Sequence, residues 1–288
     1  MKKIIVTGSR GQLGSEIIIR QQYIQDADFI FTDVETLNIV EHDNLKDFFE
    51  KNNPDLVINC AAYTAVDKAE DDFENAYSIN AIGAKNISEI CKKHNIPLIH
   101  ISTDYVFDGT KNLPYHEEDT VNPLSVYGKT KLQGEIFIQD SGANYVIIRT
   151  SWLYSEFGNN FVKTILRISR EKEFLKVVND QIGNPTYAGD LAEVILIIAK
   201  KYLSDEFFKF GIYHYSNEGQ CSWYEFACEI LKIKSINTPV YPVGSSEFPS
   251  KVNRPKYSVL DKTKIKNAFQ LQINDWRTSL EKCLQKLQ

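Results

Sequence analysis

The residue pair best suited to chemistry is Tyr127 and Lys131, which form a Y-x-x-x-K arrangement. This spacing on a helix places both side chains on one face. A free phenol has a pKa of about 10, and a nearby ammonium favours the phenolate and lowers that pKa. We therefore predict that Tyr127 donates a proton to a carbonyl oxygen and that Lys131 lowers the pKa of Tyr127.

Thr103 is the predicted partner of this pair, because it follows the apolar run of residues 97–102. A hydroxyl at the carboxyl end of a buried strand could hydrogen-bond the substrate oxygen and orient it against Tyr127. Taken alone, Thr103 is equally typical of a helix cap or a turn. Its occurrence together with a glycine loop and the Tyr127–Lys131 pair favours the catalytic interpretation.

A glycine-rich loop follows the first β-branched run and opens a helical pattern. Residues 8–14 read G-S-R-G-Q-L-G, so the glycines recur in a G-x-x-G-x-x-G pattern. Glycines there permit a tight turn and a close approach of the backbone to a pyrophosphate at the helix N-terminus. The pattern predicts a nicotinamide dinucleotide, NADPH or NADH. The predicted contacts are Gly8, Arg10, Gly11, Gln12, Leu13 and Gly14.

Two residues point to opposite cofactors. Asp33 ends the second predicted strand, where a carboxylate can accept hydrogen bonds from the ribose hydroxyls of NAD. Arg10 lies in the glycine loop and could neutralise the 2′-phosphate of NADP. The choice between the two cofactors therefore stays open. The small residues Ala61 and Ala62, after the third predicted strand, leave room for either one.

The elements that must position these residues alternate between apolar runs and helical spacing. Predicted strands cover 4–7, 28–33, 55–59, 97–102 and 145–149, and predicted helices cover 13–23, 44–52, 72–94 and 127–139. Runs that are apolar at every position belong in a parallel sheet covered on both faces. The sequence predicts an α/β fold: a Rossmann-like, doubly wound sheet over residues 1–150, with a smaller, interleaved substrate-binding lobe over residues 151–288.

The second half has a looser pattern. Helices are predicted over 160–170, 188–202 and 276–287, extended segments over 176–179 and 210–217, and a loop over 239–255.

The net charge of −5 gives the chain no electrostatic reason to bind nucleic acid or an anionic membrane. Five cysteines without C-x-x-C spacing indicate reduced thiols, and the absence of a long apolar run favours a cytoplasmic protein.

Seven segments together resemble the extended short-chain dehydrogenases/reductases, and within them the dTDP-4-dehydrorhamnose reductase family. They are residues 8–14, 60–70, 102–109, 122–135, 149–161, 179–186 and 254–265. The resemblance implies reduction of the C4 keto group of dTDP-4-dehydro-L-rhamnose to dTDP-L-rhamnose, in nucleotide-sugar and cell-surface polysaccharide biosynthesis. By resemblance, Tyr127 is the proton donor, Lys131 also holds the nicotinamide ribose, and Thr103 supports them.

The same resemblance implies further contacts around the cofactor and the substrate. On the cofactor side they are Asn38, Ile39, Ala61, Ala62 and Tyr63, with Asn38 in place of an aspartate that family members often carry. On the substrate side they are Val66, Thr103, Tyr105, Tyr127, Trp152 and Arg254, the last facing the diphosphate.

Some members of the family bind magnesium between subunits. Glu16 matches one such glutamate but Gly189 replaces another, so we predict no required metal.

Two alternatives stay open. A sugar-nucleotide epimerase or dehydratase on the same scaffold would recycle its cofactor and often has an acidic base near Thr103. Asp104 follows Thr103 here, but the pattern of the reductase family already contains this aspartate. A non-catalytic subunit similar to the methionine adenosyltransferase β subunit is disfavoured by the intact Thr103, Tyr127 and Lys131. A homodimer is expected from the frequency of two-fold symmetric oligomers.

Overall fold

A computed structural model describes residues 1–204, 209–248 and 250–287 of the chain. Its centre is a six-stranded parallel sheet in the order β10-β5-β4-β3-β1-β2. The strands are β1 (Lys2–Thr7), β2 (Ala27–Phe31), β3 (Leu56–Asn59), β4 (Leu98–Thr103), β5 (Tyr145–Thr150) and β10 (Gly211–His214). The predicted α/β, Rossmann-like parallel sheet is confirmed.

Both faces of this sheet are covered, as the apolar runs require. Ile4, Val6 and Ile58 face one core cluster, while Ile5 and Val57 face another on the opposite side. The strand order reverses at β1, which pairs with β2 on one side and with β3 on the other. Ligands of open parallel sheets bind outside the carboxyl ends of the strands at such a reversal.

Helices connect the strands of the first half close to their predicted bounds. They are α1 (Gln12–Arg20), α2 (His42–Asn52), α3 (Val66–Ala69), α4 (Phe73–Tyr77), α5 (Gly83–His94) and α6 (Val126–Ser141). The helix predicted over 72–94 is interrupted by a π-helical turn at Ser78–Ile82. Asn80, within this turn, donates to the Thr130 hydroxyl on α6 at 3.1 Å, so the turn ties the two helices together.

The C-terminal half returns to the central sheet through β10. It contains the helices α7 (Phe161–Glu171), α8 (Ala188–Leu203), α9 (Trp223–Ile233), α10 (Thr263–Phe269) and α11 (Trp276–Lys286). Its short strands are β6 (Leu153–Tyr154), β7 (Leu175–Val178), β8 (Ile182–Gly183), β9 (Thr186–Tyr187), β11 (Cys221–Ser222) and β12 (Val240–Val243). Helices α7, α9 and α11 enclose a third core cluster.

The loop predicted over 239–255 is wrong in its first part, because β12 pairs in parallel with β7. Pro242 is tolerated there since β12 has a pairing partner on one side only, and its missing N–H breaks no ladder on the other. Residue 249 of the predicted loop lies outside the described residues. The sequence reasoning also missed α9 and α10.

Among the residues that the structure describes, every helix is too short or too polar to cross a membrane. All five cysteines are free thiols, as expected from their spacing.

Candidate active site

A cavity of about 800 Å³ lies at the carboxyl ends of the central strands. It is lined by most of the predicted site residues: Gly8, Gly11, Gln12, Leu13, Gly14, Asp33, Asn38, Ile39, Ala61, Ala62, Val66, Thr103, Tyr105, Tyr127, Lys131, Trp152 and Arg254. Arg10 and Tyr63 are not among its lining residues. One cavity thus brings the glycine loop together with the predicted catalytic residues.

The glycine loop has the shape that a pyrophosphate requires. Gly8 has φ +64°, and a Cβ at this position would lie 2.6 Å from the backbone nitrogen of Ala61. A Cβ on Gly14 would lie 2.5 Å from the Gly8 carbonyl oxygen. No side chain caps α1 at Gly11, so its first-turn N–H groups remain free of a capping oxygen. These residues fit the phosphates of a dinucleotide.

Asp33 is fixed by the loop that it faces. Its carboxylate accepts hydrogen bonds from the backbone N–H of Arg10 at 2.9 Å and of Val34 at 2.8 Å. The Arg10 guanidinium forms an exposed ion pair with Glu35 at 2.9 Å. Of the two residues that favour different cofactors, Asp33 lines the cavity and Arg10 does not. The Arg10 side chain is instead paired with Glu35.

Tyr63 also lies outside the cavity lining, although Ala61 and Ala62 lie within it. Its phenol donates to Asp72 at 3.0 Å, and its backbone N–H donates to Asn80 at 2.8 Å. Asn38 lines the cavity while its amide donates to Glu41 at 3.0 Å. The cofactor contacts implied for this segment stay a prediction, and the Tyr63 phenol is directed to Asp72.

Tyr127 enters the cavity from the first turn of α6. The Ser125 hydroxyl caps this helix by accepting the Gly128 N–H at 3.1 Å. A Cβ on Gly128 would collide with the Tyr105 carbonyl oxygen, so this glycine lets the helix approach the end of β4. The rings of Tyr105 and Tyr127 meet edge to face at 5.6 Å.

Thr103 lies beside Tyr127 at the end of β4. Its hydroxyl donates to Asp104 Oδ1 at 3.1 Å and accepts the Tyr105 N–H at 3.2 Å. Burial raises the pKa of Tyr127 above its usual value, and a hydrogen bond with Thr103 lowers it by less. Tyr127 therefore stays protonated at neutral pH, as an unperturbed phenol would, and this is the state that a proton donor requires.

Lys131 is 1% exposed and its ammonium is directed to β4. Its Nζ donates to the Ile101 carbonyl oxygen at 2.7 Å and lies 3.2 Å from His100 Nε2. Burial lowers the pKa of Lys131 to about 8. The expected lowering of the pKa of Tyr127 by Lys131 is not found: burial is the largest cause of the shift in this pKa, and the groups that also shift it are Thr103, Asp104 and Tyr105.

Asp104 lines the same cavity and is 2% exposed. Burial raises the pKa of its carboxyl to about 6, although hydrogen bonds from Ser258 and Thr103 oppose the shift. Its Oδ2 has no hydrogen-bond partner among the described residues. The sequence reasoning noted Asp104 only as the neighbour of Thr103; its burial next to the cavity is a tertiary feature.

The comparisons with known proteins agree on one family. The family model described as the RmlD substrate binding domain matches residues 1–288. The chain belongs to this family. It is 40% identical over 287 residues to the dTDP-4-dehydrorhamnose reductase of Aggregatibacter actinomycetemcomitans, with 98% of each chain covered. It is 41% identical to the Bacillus subtilis spore coat polysaccharide biosynthesis protein SpsK, covering 99% of this chain and 98% of that one.

A solved structure gives the same result. The Bacillus anthracis dTDP-4-dehydrorhamnose reductase in complex with NADP superimposes with a TM-score of 0.93 at 39% identity. The match covers 99% of this chain and 100% of that chain. The resemblance predicted from the seven sequence segments is therefore confirmed.

In this RmlD-family chain, two tryptophans form one wall of the cavity. Trp152 has φ +47°, an uncommon backbone conformation for a bulky residue. Its ring stacks on Trp223, with centroids 3.5 Å apart and planes at 7°. Gly183 accommodates the pair, since a Cβ there would lie 2.5 Å from the Trp152 ring. Sequence reasoning missed Trp223, the first residue of α9, because its partner is distant in the chain.

Arg254 reaches the cavity from the C-terminal half. Its guanidinium donates to the Tyr105 hydroxyl at 3.1 Å and to Asp67 at 2.5 Å. Val66, the first residue of α3, lines the cavity next to that aspartate. The contacts hold the Arg254 side chain at the cavity with a cationic group directed at Tyr105.

Glu16, the residue considered for a metal, is fully buried in an ion pair with Arg20. Burial, followed by a hydrogen bond with Glu156, raises the pKa of Glu16 to about 7. A Cβ on Gly189 would lie 2.5 Å from Arg20 Nη2, so the glycine leaves space for this guanidinium. Within the described residues, no three His, Cys, Asp or Glu side chains form a metal-binding cluster. The absence of a required metal stays a prediction.

Proposed function

We propose that the chain reduces the C4 keto group of dTDP-4-dehydro-L-rhamnose to give dTDP-L-rhamnose, with NADPH or NADH as reductant. The main support for the proposal is that Tyr127, Lys131 and Thr103 line the same cavity as the glycine loop. The names of the relatives support the substrate, and the NADP complex of the Bacillus anthracis protein supports the cofactor.

Residues 1–150 would bind the dinucleotide. Gly8, Gly11 and Gly14 would contact its pyrophosphate, and Asp33 would accept hydrogen bonds from the adenosine ribose. When bound, the reduced nicotinamide supplies the hydride that the keto carbon receives. Lys131, which lines the same cavity, would donate to the nicotinamide ribose.

Tyr127 would provide the proton that the reduction requires. A phenol is already protonated at neutral pH, and burial keeps Tyr127 so by raising its pKa further. It can therefore donate to the substrate oxygen as that oxygen gains negative charge. The Thr103 hydroxyl, held by the Tyr105 N–H, would orient the same oxygen. The reaction leaves a tyrosinate, which must regain a proton before the next turnover.

Residues 151–288, interleaved with the first domain through β10, would contribute most of the substrate lobe. The Arg254 guanidinium offers the planar donors that suit a diphosphate. Trp152 and its stacked partner Trp223 offer an apolar wall, and Val66 and Tyr105 flank the space between that wall and Tyr127. These contacts define the proposed nucleotide-sugar site.

We place the reaction in nucleotide-sugar and cell-surface polysaccharide biosynthesis, which the name of the Bacillus subtilis relative supports. A cytoplasmic location fits the supply of both substrate and reduced cofactor. Binding to nucleic acid or to a membrane forms no part of the proposal, and a homodimer stays a prediction.

The test is the absorbance of the reduced nicotinamide in the presence of dTDP-4-dehydro-L-rhamnose made in situ, with NADH and NADPH in separate cuvettes. We expect stoichiometric loss of absorbance that requires this protein. Conversion of the sugar without net loss of cofactor would instead indicate an epimerase or dehydratase. Cofactor binding without turnover of this or any other keto sugar would favour a regulatory subunit.

A further inference from the structure

Four buried polar side chains form a continuous chain beneath the cavity floor. Thr7 donates to Asn59 Oδ1 at 2.7 Å, Asn59 Nδ2 lies 3.0 Å from His100 Nδ1, and His100 Nε2 lies 3.2 Å from Lys131 Nζ. Each of the four residues is 1% exposed. They join β1, β3, β4 and α6, and the proposed mechanism uses only the last of them.

A backbone N–H, which can only donate, fixes the orientation of the Asn59 side-chain amide. The backbone N–H of Ala61 lies 3.1 Å from Asn59 Oδ1, so the oxygen must face Ala61. The amide nitrogen of Asn59 consequently faces His100 Nδ1 and donates to it. A neutral imidazole that accepts at Nδ1 carries its hydrogen at Nε2.

The His100 imidazole is neutral because it is buried beside the Lys131 ammonium. Burial, followed by the positive charge of Lys131, lowers the pKa of His100 well below its usual value. Its Nε2–H is therefore aimed at Lys131 Nζ. An ammonium has three donors and no acceptor, so a donor of His100 faces a donor of Lys131 whenever the lysine is charged.

The other groups around Lys131 do not remove this conflict. The Ile101 carbonyl accepts one ammonium hydrogen at 2.7 Å. Glu135 favours the ammonium from the next turn of α6, but its carboxylate is bound by Arg149 at 2.7 Å. Burial raises the pKa of the Cys60 thiol to about 12, so this thiol stays neutral.

We propose that His100 is a positioning residue whose Nε2–H, oriented by Asn59, weakens proton binding by Lys131, so that the lysine readily releases a proton into the cavity that it shares with Tyr127 after each reduction. The inference rests on the catalytic role proposed for Lys131. In this step Lys131 gives its proton to water in the cavity, and that water gives a proton to the tyrosinate. Lys131 becomes a neutral amine that accepts the His100 N–H, and bulk solvent then returns a proton to Lys131. The pKa of Lys131, about 8, is compatible with this cycle.

The first test is independent of activity. In ¹⁵N-histidine-labelled protein, the shifts of the two ring nitrogens distinguish the tautomers, and a His100→Gln variant assigns the signal among the five histidines. We expect a neutral imidazole with hydrogen on Nε2 and a bare Nδ1 at pH 7. Hydrogen on Nδ1, or a protonated ring, would overturn the inference.

The second test is the pH profile of kcat/KM, which reports ionisations of the free enzyme. The amide introduced by His100→Gln can turn its oxygen to the ammonium, so this variant should raise the apparent pKa near 8 by about one unit or more. His94→Gln, an exposed histidine at the end of α5, is the matched control and should leave the profile unchanged.

The possible failures are distinguishable. A parent protein that oxidises no cofactor in the presence of the keto sugar would refute the proposed function, whatever the tautomer of His100. An active parent whose pH profile is the same in His100→Gln would refute the inference alone. If His100→Gln does not fold, the tautomer assigned in the parent, by elimination with variants of the other histidines, still decides the question.

Discussion

A Lys131→Met variant should be more stable than the parent at pH 7 and catalytically inactive. Burial lowers the pKa of Lys131 from 10.5 to about 8. At about 1.4 kcal/mol per pKa unit, keeping the ammonium in the folded state costs roughly 3 kcal/mol at pH 7. Loss of the hydrogen bond to the Ile101 carbonyl removes about 1 kcal/mol. Methionine has a similar length, so the net expected gain is about 2 kcal/mol.

The stability gained by Lys131→Met must decrease as the pH rises. Because the folded-state pKa of Lys131 is below its unfolded value, the cost is fully present below about pH 8 and disappears as the pH rises to about 10.5. The advantage of Lys131→Met should therefore shrink between pH 7 and pH 10. Lys129→Met, at an exposed position of the same helix, is the control and should change stability little.

Urea unfolding of the three proteins at several pH values measures these differences, and the loss of absorbance of the reduced nicotinamide measures activity. A Lys131→Met variant that is less stable than the parent at pH 7 would refute the reasoning. So would a gain that does not change with pH, because a pH-independent gain would reflect packing and not the buried charge.

Three further single substitutions have expected outcomes. Asp33→Ala should raise KM for NADH more than for NADPH in steady-state assays, and equal effects would show that Asp33 does not contact the ribose. Asp104→Asn should raise the free energy of unfolding by about 3 kcal/mol at pH 8, since burial raises the pKa of Asp104 from 3.8 to about 6. This gain should vanish below about pH 4, where the parent carboxyl is protonated in both states, and a loss of stability at pH 8 would contradict it. Gly14→Ala should weaken NADPH binding at least about tenfold in a fluorescence titration, because its Cβ would lie 2.5 Å from the Gly8 carbonyl oxygen; unchanged affinity would contradict the glycine-loop assignment.

The sheet and the glycine loop could be predicted because their signals are local. The apolar runs of β1 and β3 require burial on both faces, and the glycines before α1 constrain their own backbone. The pairing of β12 could not be predicted in the same way. Its proline indicates a loop, and only the single partner of this strand makes a proline acceptable there.

Sequence spacing predicted residues that the fold brings to one cavity, but it did not give their electrostatics. The spacing of Tyr127 and Lys131 predicts a common helix face, yet the pKa of each depends on how much water the surrounding fold excludes. Trp223 was missed for a related reason. Its stacking on Trp152 joins two segments that only the folded C-terminal half brings together.

The most direct test of the central claim is single-turnover oxidation of NADPH or NADH by the keto sugar in the parent and in Tyr127→Phe. The variant removes only the phenolic proton donor, so cofactor binding should be retained. The rate should fall at least about a hundredfold, the usual contribution of a positioned general acid. A Tyr127→Phe variant that oxidises the cofactor at the parental rate would contradict the assignment of Tyr127 and the active site built around it.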